Sequence, residues 1–101
     1  MAMHDPMLVV RASSEITLWI HRGAAGDLAA GAREVLVNAD TVASIDHLDV
    51  TGFQPTATDI RVDLTVVVSV YAANNDSATV EAALTDGFGI IAADVNAIES
   101  E

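Results

Sequence analysis

Asp46-His47-Leu48-Asp49 sets two carboxylates around an imidazole within four residues. On a strand, His47 and Asp49 share a face, where they could hold a divalent ion or orient a general base. No second ligand pair stands at metal-site spacing, and neither an HExxH pattern nor an EF-hand loop occurs. Surface carboxylates of an acidic protein are the plainer reading of that cluster. Arg22-Gly23-Ala24-Ala25-Gly26-Asp27 joins a strand to a helix start. Backbone N–H groups there could cradle a phosphate with Arg22 as counter-charge, but Asp27 would repel an anion. The segment fits neither the Walker pattern nor the dinucleotide fingerprint, so it reads as a tight turn. Trp19 and Tyr71, with His21 beside Trp19, offer aromatic faces on which a flat ligand, flavin-like or nucleotide-like, could stack. His4 lies in a tail and is given no role. Asn75-Asp76-Ser77 matches a glycosylation acceptor but reads better as a helix cap. There is no GxSxG elbow and no cysteine nucleophile. No motif assigns a catalytic residue, a metal site or a cofactor.

Composition narrows the setting of these residues. A chain of 101 residues makes one domain. Fifteen acidic residues against four arginines (Arg11, Arg22, Arg33, Arg61) and no lysine give a net charge of −11. Phosphate backbones and anionic membrane surfaces are repelled by such a chain, so direct nucleic-acid binding and membrane association are not expected. With no cysteine, disulfides and thiolate metal sites are excluded. Hydrophobic residues make up 51% of the chain, enough for a folded core, and most are Ala and Val. The longest apolar stretch, 62–73, is broken by Asp63, Thr65 and Ser69, far short of the roughly 20 residues of a spanning helix. Residues 1–6 have no basic cluster and do not read as a secretory signal, so the expected compartment is the cytoplasm. Absent lysine, abundant Asp and small apolar residues together suggest a halophilic cytoplasm. There, an acidic coat stays hydrated and a Debye length of about 3 Å at 1 M salt suppresses self-repulsion.

The elements that must position these side chains follow from periodicity. Residues 1–6 form a loose tail, and 7–101 a single α+β domain. Residues 7–11 are a short strand, broken at Ser13-Ser14-Glu15. Over 15–22, Ile16, Leu18 and Ile20 alternate with Thr17, Trp19 and His21, the mark of a strand with one buried face. Asp27 caps a helix over 27–38. A second strand covers 45–53, with Leu48 and Val50 opposite His47, Asp49 and Thr51. Pro55 marks the following loop. Over 59–72, six same-face apolar residues from Ile60 to Val70 give the clearest strand of the chain. Asn74 to Ser77 then turn and cap a final helix over 77–98, with Glu81 in its first turn. Helical spacing from Val80 through Phe88 to Ile98 carries that helix across Gly87 and Gly89.

The order is therefore β-α-β-β-α. It predicts an α+β two-layer sandwich with an antiparallel or mixed sheet of three strands, or four counting 7–11, and both helices on one face. The most apolar strand, 59–72, sits centrally, giving the order second, third, first, with the first two strands parallel through a right-handed crossover. The helix-free face carries Trp19, Val67 and Tyr71 among Thr17, Thr51, Thr65 and Asp49. An apolar patch on an open sheet points to an interaction surface. The expectation is a non-catalytic homodimer packed sheet to sheet. Aromatic-ligand binding on the same face is the alternative, and chemistry at Asp46, His47 and Asp49 a more distant one.

Residues 15–98 resemble, chiefly in composition, an uncharacterised class of small acidic haloarchaeal proteins, which implies a setting but no activity. The β-α-β-β-α order is similar in outline to the small dimerising subunit of the KEOPS tRNA-modification complex, 77–98 standing for its final amphipathic helix. That family's proline-containing segment after the first helix is absent, since 36–41 reads Leu-Val-Asn-Ala-Asp-Thr. Residues 15–72 resemble dodecin flavin carriers in element order. Trp19 lies on the first strand, however, whereas the dodecin stacking Trp lies on the second. No functional residue carries over from either family.

Overall fold

The structure is a computed structural model that describes residues 8–21, 23, 26–87 and 89–99. The expectations placed on 1–6, including His4, and on Arg22 and Phe88 lie outside the described residues. The elements are β1 (Leu8–His21), α1 (Leu28–Val37), β2 (Val42–Pro55), β3 (Asp59–Ala72), α2 (Ser77–Thr85) and β4 (Ile90–Glu99). They build a four-stranded sheet in the order β2-β3-β1-β4, in which every neighbouring pair is antiparallel. β1 and β2 thus run parallel with β3 between them, as their helical crossover requires. With β4 added, the order β-α-β-β-α-β is that of a ferredoxin-like split β-α-β unit. No helix among the described residues is long and apolar enough to cross a membrane.

Burial explains the strands. Even positions of β1 and β3, from Val10 to Ile20 and from Ile60 to Ala72, are buried. All of them but Ser14 share one apolar core cluster with Ala32 and Leu36 of α1 and with Val80 and Leu84 of α2. β1 runs unbroken through Ser13-Ser14-Glu15, against the expected interruption. The buried Ser14 hydroxyl donates to the Asp94 carbonyl oxygen at 3.1 Å, so a polar group in the core keeps its hydrogen bond. Both helix starts are capped by aspartate. Asp27 Oδ1 accepts from Ala30 N at 3.0 Å, and Asp76 Oδ1 accepts from the Thr79 backbone N and Oγ1, each at 2.8 Å.

The long final helix is corrected. α2 stops at Thr85, and 90–99 is a strand at the sheet edge. The cause lies at the two glycines. A side chain at Gly87 would press on Ala39, and Gly89 has φ 89°, a left-handed conformation that ends a helix and that L side chains rarely adopt. The Gly89 carbonyl then accepts from Trp19 N at 2.9 Å, seating the turn against β1. Glu81 lies beyond the first turn of α2. Its Oε2 accepts from Val95 N at 2.9 Å and ties the helix to β4.

Candidate functional site

Odd positions of β1 and β3 point away from the aliphatic core, and the strand register sorts them into cross-strand rows. One row holds His47, Val67, Ser13 and Ala97; the next holds Asp49, Thr65, Glu15 and Asp94. On one side of these two rows lies Ser69-Arg11-Glu99, and beyond it the Tyr71–Val9 pair. On the other side lies Asp63-Thr17-Ala92, and beyond it Arg61–Trp19. The floor of the face is built from short side chains. Ser13, Thr17, Thr65, Val67 and Ser69 are half-buried. Larger apolar groups stand at the two ends: Trp19 is 38% exposed, Tyr71 40% and Val9 60%.

Trp19, Val67 and Tyr71 thus share the predicted face but not one patch. Arg61 to Tyr71 spans ten residues of β3, about 33 Å at roughly 3.3 Å per residue, so no flat ligand reaches both rings. The stacking site that joined Trp19 to Tyr71 is not assembled. His21 is paired with Asp59 at the Trp19 end and is exposed.

The carboxylate–histidine cluster divides. His47 Nε2 lies 3.0 Å from Asp49 Oδ2, both exposed, as their shared face predicts. Asp46 turns instead to Arg11. The Arg11 guanidinium donates from Nε to Asp46 Oδ2 and from Nη1 to Glu99 Oε1, each at 2.7 Å. Arg11 on β1 thereby links β2 to β4 across the face. The hydrogen bond it donates to Asp46 above all, and then the charge of Glu99, hold its pKa above the ordinary value. Thr17 Oγ1 donates to Asp63 Oδ1 at 2.9 Å. Among the described residues no three His, Asp or Glu side chains are grouped to hold a metal ion. Sequence reasoning missed Arg11, Asp94 and Glu99, because Asp94 fell in the expected helix over 77–98 and Glu99 just past its end, so neither was placed on a strand beside Arg11. The signal for them was the strand that only the glycines betray.

At the start of α1, a shallow depression of about 470 Å³ is lined by Gly23, Gly26, Asp27, Ala30, Gly31 and Glu34. Its two carboxylates suit no anion, and Asp27 is already engaged by the helix. A second open depression, of about 550 Å³, lies between this helix start and β2, with Leu28, Val50 and Phe53 in its wall. Neither contains His47. Comparison with protein-family models, with curated proteins and with solved structures gave no match.

Proposed function

We propose that the protein works through a surface rather than a reaction centre, as a homodimeric accessory module of a halophilic cytoplasm, with the odd-numbered sheet face as its contact. In this reading both helices cover the even-numbered face in a two-layer sandwich, and a second copy covers the other. The observation that carries it is the long face of short, half-buried side chains bounded by exposed Trp19, Tyr71 and Val9. Three strands of fourteen residues and one of ten, at about 4.8 Å between strands and about 3.3 Å per residue, make a face of roughly 800 Å². That matches the ~800 Å² each partner gives to a standard interface. Short central side chains let two sheets approach to about 10 Å. Glu15, Asp49, Asp63 and Asp94 on the face explain why the association would need salt.

Light scattering from dilute buffer to molar KCl tests the reading. The expected result is twice the 10.5 kDa chain mass in molar salt. A Val67→Asp variant, with unchanged circular dichroism, should stay monomeric because it sets a new charge in the middle of the face. A wild-type chain that is monomeric at every salt concentration would overturn it.

A further inference from the structure

We propose that the second copy docks with its strands reversed, the Trp19 end of one face lying over the Val9 and Tyr71 end of the other. The proposal rests on the sheet-face dimer above and specifies its arrangement. Two identical faces packed together are related by a two-fold axis lying between them. That axis runs either along the strands or across them. Along the strands, each row meets its own row. Glu15, Asp49 and Asp94 would then share one layer with the same three carboxylates of the second copy. Across the strands, rows exchange about the Ser14–Val66 pair, the midpoint between Val9 and Trp19 on β1 and between Arg61 and Tyr71 on β3. The acidic row then lies over the row of Ser13 and Val67, which contains no carboxylate. His47 is placed over Asp49 of the second copy. At the ends Trp19 meets Val9, and the Arg61 guanidinium meets the Tyr71 ring, an attractive cation–aromatic contact. Like charges directly opposed are the costly alternative, and the reversed axis removes them.

The chain has no cysteine, so Val9→Cys and Trp19→Cys each introduce one thiol on an exposed strand position. Each variant alone, and an equimolar mixture of the two, are treated in molar KCl with a bifunctional maleimide that spans the ~10 Å between packed sheets. The mixture should give an order of magnitude more linked dimer than either variant alone. Efficient linkage of Trp19→Cys to itself would overturn the proposal in favour of the axis along the strands. Dimers by light scattering, with no more linkage in the mixture than in the single variants, would overturn it too and leave the sheet-face dimer standing. Monomers by light scattering in every sample would overturn both. Should Trp19→Cys lose its circular dichroism, Arg61→Cys with Tyr71→Cys asks the same question at the neighbouring strand.

Discussion

Gly87 has no room for a methyl group. A Cβ built there would lie 2.7 Å from Ala39 Cβ and 2.8 Å from Ile90 Cδ1, both fixed in the core. Replacing Gly87 by Ala must therefore push the end of α2 away from the segment that leads into β2. We expect a loss of about 1–3 kcal/mol, the usual range for overpacking, measured by urea unfolding at constant salt. Gly23→Ala is the control, since nothing lies within 4 Å of its Cβ. Its stability should change by less than about 1 kcal/mol, the scale of an unstrained Gly→Ala change. Equal effects at the two sites would show that Gly87 is not a packing constraint. Ser14 makes the complementary point, a small polar side chain fully enclosed. Its type suggested a break in the strand, and only its bond to the Asp94 carbonyl explains why a hydroxyl is tolerated there. That partner is 80 residues away in the chain, so no local pattern could announce it.

Elements with a single period were legible. β3 keeps strict alternation from Ile60 to Ala72, and its bounds coincide with those read from the sequence. The aspartate caps were legible as well, because capping depends on residues within one turn. β4 was not legible, and the reason is geometric. Two register shifts against β1 insert extra residues, so its core-facing side chains fall at Ile90, Ala93, Val95 and Ile98. Steps of three, two and three mimic a helix, and β-bulges are the cause. Shifts in β2 give the same effect, with Val42, Ile45, Leu48 and Val50 against the core. The cap of α2 carries a pH prediction of its own. Backbone and side-chain hydrogen bonds from Thr79 hold the Asp76 pKa below its ordinary value of 3.8. A depressed folded-state pKa adds stability that is present above the unfolded value and is lost as pH falls through the folded one. Asp76→Ala should therefore melt below the wild type at neutral pH, and the gap should close as pH drops below about 3.8. A gap that stays constant to pH 2 would mean that the ionised carboxylate contributes nothing beyond its size.

On the scale of the whole molecule, parity was readable but position along the strand was not. Alternation alone put Trp19 and Tyr71 opposite the aliphatic core; only the β1–β3 register shows them at opposite ends. The same register interleaves Glu15, Asp63 and Asp94 on neighbouring strands, with Arg11 already taken by Asp46 and Glu99. A chain of net charge −11 thus has little internal compensation, and folding concentrates its like charges. Salt should relieve this. Between dilute buffer and 1 M KCl the Debye length falls to about 3 Å, shorter than the spacing of adjacent strands, so neighbouring carboxylates cease to repel. The thermal midpoint followed by circular dichroism is expected to rise steadily over that range. Dimer formation would raise it as well, through mass action, but only that part depends on protein concentration. Melting at two concentrations separates the terms, and the Val67→Asp monomer isolates the first. If screening is the cause, choline chloride and KCl of equal ionic strength should act alike. A midpoint that is the same in dilute and molar salt would remove the halophilic reading, because the acidic surface would then cost the fold nothing in fresh water.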